Sequence, residues 1–507
     1  MLKFILNGIL ALLFVSCTSL STTNYYFDSV YGNDDNDGMS MDRPFKSLAK
    51  LKQLQLRGGD SILLKSGAVF EEQLFLTCRG EIDAPIVLGK YGGESRPHIK
   101  GNGKDTAAVH VLNSEHLIVR DLEISNKDSI PKAGLLGLWL ELDKMGEAHN
   151  IAINNLYVHD VYGSNIIEKG GGIGFCIQNG RDNDSIQNRF IGLNIENCHI
   201  KNCQRDGIKF RGYWLRYQWK PNLNVIIRNN LLDGVPGDGI VVAGCDGALI
   251  EYNVMKNCPK TLPDSEACDG IWPWCSDNTL VQFNVVSDHK SIIDGYAYDS
   301  DWGCKNSVFQ YNLSYNNDGG FMLVIGTNGW PSTHCVNGNL GTKVRYNVSI
   351  NDGLRNYITN ASHKEAYFCP VMHFTGYTQN TLVENNLFYL FPKLEPQIDR
   401  TLFHFTEHDG TYGKGDIFKN NYIYVPEQTI AVKEENSIGN QYLENMYVGN
   451  LQCSFSGFNK YNGKFNSSLW YNEQDKNWDI LINFLRGKNI LIDGKEMKVL
   501  DILGFVE

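Results

Sequence analysis

The strongest constraint on this chain is a six-residue pattern written ten times between residues 119 and 423. The copies read VRDLEI (119–124), INNLYV (153–158), IENCHI (195–200), IRNNLL (227–232), IEYNVM (250–255), VQFNVV (281–286), FQYNLS (309–314), VRYNVS (344–349), VENNLF (383–388) and FKNNYI (418–423). Their fourth position is Leu122, Leu156 and Cys198, then asparagine seven times running: Asn230, Asn253, Asn284, Asn312, Asn347, Asn386 and Asn421. A polar residue kept at one place among β-branched and aromatic neighbours needs a repeated partner. Stacked coils supply it, with each amide bonded to the next coil and to turn backbone.

Successive copies are 34, 42, 32, 23, 31, 28, 35, 39 and 35 residues apart, so loops of variable length are inserted between coils. Intervals of 23 and 28 are too short for the blades of a β-propeller. The pattern resembles the right-handed parallel β-helix proteins, with their PbH1-type repeats and pectin-lyase-like fold. That resemblance covers residues 24–430 and implies an all-β, single-stranded solenoid with an asparagine ladder and an N-terminal capping helix. Each coil alone cannot bury its inward side chains, whereas ten or more share one core. Leu48, Leu51 and Leu54, after Pro44 and before Gly58-Gly59, fit the capping helix. After residue 430 the ladder is lost, and KNWDILINFLR (476–486) followed by NILIDG predicts a helix and a closing strand. Residues 431–507 are therefore read as C-terminal coils and a cap.

The first 16 residues carry Lys3 and an apolar run of secretory-signal length. Leu13-Phe14-Val15-Ser16-Cys17 resembles the lipobox of bacterial lipoproteins, with Phe14 where leucine is usual. This implies cleavage before Cys17, lipidation of its thiol and an exported, cell-envelope location, with the membrane touched only through that anchor. No second apolar run approaches the roughly 18 residues of a membrane span. A net charge of −11 argues against nucleic acid as a partner. Twelve cysteines follow Cys17, mostly inside repeats, which predicts buried free thiols; Cys258 and Cys268, flanking a loop, are the pair to test for a disulfide. The loop GNDDNDG (32–38) lacks the downstream glutamate of a calcium loop and reads as a turn.

A second strand accompanies the ladder, beginning at Asp206-Gly207-Ile208, Asp238-Gly239-Ile240, Asp269-Gly270-Ile271, Asp294-Gly295-Tyr296 and Gly319-Gly320-Phe321. Alternation from each start makes Ile208/Phe210, Ile240/Val242, Ile271/Pro273, Tyr296/Tyr298 and Phe321/Leu323 inward. Outward are Lys209/Arg211, Val241/Ala243, Trp272/Trp274, Ala297/Asp299 and Met322/Val324. With coils about 4.8 Å apart, the surface runs from basic through aromatic to acidic over roughly 20 Å, the length of a few sugars.

Its chemistry centres on DGYAYDSD (294–301). Asp299 and Asp301 form a carboxylate pair beside Trp302, as glycosidic cleavage requires. Asp206, Asp238, Asp269 and Asp294 share a repeat position that reads as a ladder accepting backbone N–H groups, with Asp269 and Asp294 kept as secondary catalytic candidates. Trp272, Trp274 and Trp302, with Trp330, offer flat faces for sugar rings. Lys209 and Arg211 match a uronate carboxylate. His373 and His404, in matching HFT contexts, and Glu407 complete the candidate groove.

The expectation is an exported polysaccharide-degrading enzyme, a monomeric glycoside hydrolase acting on a polysaccharide or oligosaccharide with no cofactor. Two rivals stand beside it. One is a Ca²⁺-dependent lyase in which Lys209, Arg211 or Lys290 takes a proton from a uronate; the other is a non-catalytic glycan-binding surface protein. No metal ligand set is assigned.

Overall fold

The computed structural model describes residues 22–505, apart from 164–169, 182–183, 214–215, 328–337, 357–366, 392–398 and 435. Residues 1–16, Cys17 and Trp330 lie outside the described residues.

The chain winds into a right-handed parallel β-helix with three parallel sheets. Sheet A runs from Asn24–Phe27 through strands such as Leu249–Glu251 and Leu280–Gln282 to Gln441–Leu443. Sheet B includes His98–Lys100, Glu123–Lys127, Tyr157–Tyr162, Val254–Lys256 and Val285–Ser287. Sheet C holds Ala107–Leu112, Leu136–Glu141, Ile173–Gln178, Asp206–Arg211, Ile240–Ala243, Ile271–Trp274, Tyr296–Ser300, Gly320–Gly326, Phe368–Gly376 and Asp399–Thr406.

The repeated hexapeptide is the corner between sheets A and B. Its third residue has left-handed backbone in coil after coil, with φ of 55° at Tyr252, 56° at Phe283, 56° at Tyr311 and 52° at Tyr346. That conformation costs an L residue roughly 1–2 kcal/mol, so something must hold each corner. The asparagine that follows does so. Asn284 Oδ1 accepts the backbone N–H of Asn253 at 2.9 Å and its Nδ2 at 3.0 Å. Asn284 Nδ2 in turn donates to Asn312 Oδ1 at 3.1 Å and to the Ile250 carbonyl at 2.9 Å. The same bonds recur from Asn230 to Asn421, and the ladder runs one rung further than the sequence reading allowed. Asn421 Nδ2 reaches Asn445 Oδ1 at 2.9 Å, so the coils continue past residue 430. Tyr252, Phe283, Tyr311 and Tyr346 stack outside the corner, with ring centroids 4.8, 5.2 and 5.9 Å apart.

The expected N-terminal capping helix is present, and three further expectations are corrected. The N-terminal cap is a 3-10 helix at Leu48–Gln53, because a spacing of three buries Leu48 and Leu51 on the same side of a three-residue turn. The helix Lys476–Leu485 lies along the flank of the solenoid and does not cross its end: Tyr311 donates to Asn477 at 2.5 Å, Tyr346 to Asp475 at 2.6 Å, and Trp478 meets the Tyr346 ring edge-on. NILIDG starts an antiparallel hairpin with Lys495–Lys498, not a strand of the coils. Cys258 and Cys268 are separate buried thiols.

Replacing Asn312 by Ala leaves the buried backbone N–H of Asn284 without its acceptor and takes one partner each from the Asn284 amide and the Val281 carbonyl. At about 1–3 kcal/mol for each unsatisfied group, Asn312→Ala is expected to lower unfolding stability by at least ~2 kcal/mol in urea denaturation, with coil spacing unchanged at the chain ends.

Candidate active site

The outward side chains of sheet C form a row across the coils. Pairing sets Cys176 beside Lys209, Lys209 beside Val241, Val241 beside Trp272, Asp299 beside Leu323, Leu323 beside His373 and His373 beside His404. Ile271 pairs with Tyr298, which makes Trp272 and Asp299 neighbours and closes the row. The basic-to-aromatic-to-acidic order read from the sequence therefore holds along Lys209, Trp272 and Asp299.

The register departs from that reading at two places. Asp294 pairs with Cys268, yet Ile271 pairs with Tyr298, so the strand gains one residue at Gly295, whose φ is 76°. The aspartate ladder accordingly leaves Asp294 out. Asp206 accepts the N–H of Asp238 at 3.1 Å, Asp238 that of Asp269 at 3.1 Å, and Asp269 that of Tyr296 at 2.7 Å. Asp294, freed from the ladder, turns its left-handed backbone (φ 54°) toward the pocket wall. One coil further, Tyr298 pairs with Met322, so Met322 and Val324 point into the core and Leu323 and Ile325 face out, the reverse of the expected alternation. Ala243 likewise joins the core.

These residues enclose a cavity of about 310 Å³. Asp238, Asp269, Asp294, Asp299 and Asp301 line it together with the three indoles of Trp272, Trp274 and Trp302, with Lys209 and Arg205 at one side and Val241, Leu323 and Ile325 as apolar wall. Of the expected binding residues, Lys209 and the three tryptophans reach it. Arg211, His373, His404 and Glu407 do not line it. His373 is buried two steps from Asp299 and bonded to Thr406 at 2.8 Å; burial first, then His404 and Arg355, pushes its pKa down to about 3 and keeps it neutral. His404 is buried beside it, within reach of the Thr401 hydroxyl at 3.4 Å. Glu407 accepts the Gly410 N–H and closes a turn. Asp238 and Arg205 were not singled out as site residues, although Asp238 shares the ladder position and Arg205 precedes the first ladder aspartate.

The cations are spent on one end of the cluster. Lys209 Nζ lies 3.0 Å from Asp238 and 3.4 Å from Asp206, and Arg205 lies 3.5 Å from Asp206 and 2.8 Å from Glu266. Burial opposes ionisation of Asp238, but Lys209 and Arg205 outweigh it and hold its carboxyl below the usual range. Asp269 and Asp299 sit further from those charges. Burial, then Asp294 and Asp238, pushes Asp269 well up; burial, then Asp301 and Asp269, pushes Asp299 well up. Asp299 is 2% exposed, and its Oδ1 has no hydrogen-bond partner among the described residues. Asp294 and Asp301 are the part-exposed carboxylates of the wall, and Asp301 Oδ1 accepts the N–H of Trp302 at 2.5 Å. Two buried carboxyls pushed toward the neutral form beside two part-exposed ones is an arrangement suited to acid–base chemistry on a sugar held against indole rings.

Fold and pocket define a class: a parallel β-helix protein that carries an acid-and-indole pocket on one sheet. Within it, the chain is 29% identical over 433 residues to lacto-N-biosidase from Bifidobacterium longum subsp. longum, a match spanning 66% of this chain and 26% of that protein. The chain thus spans about a quarter of the length of the curated relative it matches. Among solved structures it is similar to GH136 lacto-N-biosidase from Eubacterium ramulus in its selenomethionine form (TM-score 0.57, 25% identity, 76% of this chain and 67% of that one). The native form of the same protein gives a TM-score of 0.56 at 25% identity over 75% of this chain and 67% of that one. No protein-family model matches the chain.

The raised carboxyls carry a signature in stability. An unfolded Asp titrates near ~3.9, and Asp269 and Asp299 keep their protons to higher pH when folded. Between those limits the native state holds more protons than the unfolded one, so stability falls as pH rises. Asp299→Asn is expected to raise the melting temperature at pH 8 and to flatten its decline between pH 5 and pH 8, as read by thermal scans across that range.

Proposed function

We propose that this chain is a glycoside hydrolase that cleaves in the sheet C pocket, with Asp294 and Asp301 as the carboxylates that reach the sugar. The observation that carries this reading is the division of the acid cluster: Asp294 and Asp301 are accessible in a cavity lined by Trp272, Trp274 and Trp302, while Asp269 and Asp299 are buried behind them. The pair proposed at first, Asp299 and Asp301, is thereby refined. Asp301 meets positive charge developing at the anomeric carbon, beside an Asp299 carboxyl that burial and the neighbouring Asp301 push toward its neutral form. Asp294, on the strand's opposite end, gives a proton to the departing oxygen. The indoles hold the apolar face of the ring, and a water that enters as the leaving group departs attacks the anomeric carbon and completes the hydrolysis.

The likeness to lacto-N-biosidases supports hydrolysis and makes a lacto-N-biose-capped oligosaccharide the first substrate to test. Elimination from a uronate finds less support, because Lys209 lies between two aspartates and Lys290 is paired with Asp318 at 3.1 Å. Export and anchoring through Cys17 belong to the same proposal and rest on the LFVSC run alone.

On such an oligosaccharide, Asp294→Asn and Asp301→Asn are each expected to lower kcat on the order of 10²–10⁴-fold with KM little changed. In the Ala variants, azide is expected to restore turnover, and the anomeric configuration of the glycosyl azide identifies which residue is the acid. Full activity in both variants, or an unsaturated product that absorbs in the ultraviolet, overturns the proposal.

A further inference from the structure

A second cluster lies on sheet B, on three successive strands near the N-terminal end and apart from the sheet C pocket. His98, Glu123 and His159 bring three ligand atoms within 4.8 Å of one another. Both imidazoles aim one nitrogen at the same oxygen, Glu123 Oε1: His98 Nδ1 at 3.5 Å and His159 Nε2 at 3.0 Å. The opposite nitrogen of each ring is fixed from behind, His98 Nε2 by Ser125 Oγ at 2.8 Å and His159 Nδ1 by Asp160 Oδ2 at 2.8 Å. The Asp160–His159 contact is the carboxylate–histidine arrangement that orients imidazole ligands in metal sites. It also leaves His159 with a carboxylate oxygen at each nitrogen, so a positive charge, proton or metal, is needed between Nε2 and Glu123.

The surroundings leave room for an ion. The cluster opens on a cavity of about 350 Å³ edged by Asn102, Asp128 and Ser129, polar groups that suit bound water in further coordination positions. The two nearby lysines are engaged elsewhere, Lys100 with Glu71 at 3.1 Å and Lys127 over the Tyr162 ring at 4.4 Å. Two imidazoles and one carboxylate are the donors of zinc and its first-row neighbours, not of calcium, which takes six or more oxygens.

We propose that His98, Glu123 and His159 bind one zinc-class divalent ion, and that the ion pins three consecutive coils together. The ligands stand on strands of three coils, so the ion would hold those coils in register, on a different sheet from the carboxylates of the pocket. The three ligands come from three coils, so no spacing along the chain marks them as one set.

Metal-stripped protein is expected to bind Co²⁺ at one per chain with visible d–d absorption that Zn²⁺ abolishes. Saturating Zn²⁺ is expected to raise the melting temperature by about 2–4 °C. His98→Gln and His159→Gln are expected to lose the stoichiometric spectrum, and Asp160→Asn, which keeps all three ligands, to weaken binding about 10–100-fold. Far-UV circular dichroism verifies that each variant is folded, and Glu123→Gln replaces any that is not. Absence of a one-to-one Co²⁺ spectrum in the parent, or equal affinity in folded ligand variants, overturns the proposal.

Discussion

Everything in this molecule depends on one repeated hydrogen bond, from the backbone and amide of one corner asparagine to the amide oxygen of the next. Each corner places an L residue in left-handed backbone, an arrangement that is unfavourable alone. The buried asparagine offsets it by satisfying corner donors that water cannot reach. Because Asn230 to Asn445 lie in line, sheets A and B are locked in register, and sheet C inherits that register through the coil. A solenoid held so firmly at one corner tolerates long insertions elsewhere, which explains coil lengths from 23 to 42 residues.

The pocket is a consequence of that rigidity. A row of outward residues is aligned at the strand spacing, so a lysine, a tryptophan and an aspartate from separate coils meet with no loop needed to assemble them. The one irregularity, the extra residue at Gly295, moves Asp294 out of the aspartate ladder and into the pocket. The cations Lys209 and Arg205 pair with the ladder end, and burial pushes the carboxyls of Asp269 and Asp299 toward the neutral form at the other. Ionised and neutral carboxyls therefore stand side by side, set apart by their surroundings and not by residue type.

Much of this was legible in the chain. The asparagine column gave the architecture because a seven-fold coincidence at one position has a single physical reading. Trp272, Trp274 and Asp299 followed from period-two alternation, and Trp302 from its place beside the acid pair. What the sequence did not disclose was register: a single inserted residue at Gly295, which takes Asp294 out of the ladder, and the shift that turns Leu323 outward, which reverses the face of one strand, are invisible to a count from each Asp-Gly. Asn445 was missed because its coil, YLENMY, has Leu443 at the second position, where the seven coils before it carry a charged or amide side chain. His98, Glu123 and His159 were missed because alignment across coils, not along the chain, brings them together.

The central claim is that a glycan is cleaved where Asp294 and Asp301 face the three indoles. The most direct test is a crystal structure of an Asp301→Asn variant soaked with the oligosaccharide that the parent cleaves. The account predicts a sugar ring against Trp272, Trp274 or Trp302, with its glycosidic oxygen within hydrogen-bond reach of Asp294. A sugar seated on another face of the solenoid, with the sheet C pocket empty, contradicts it.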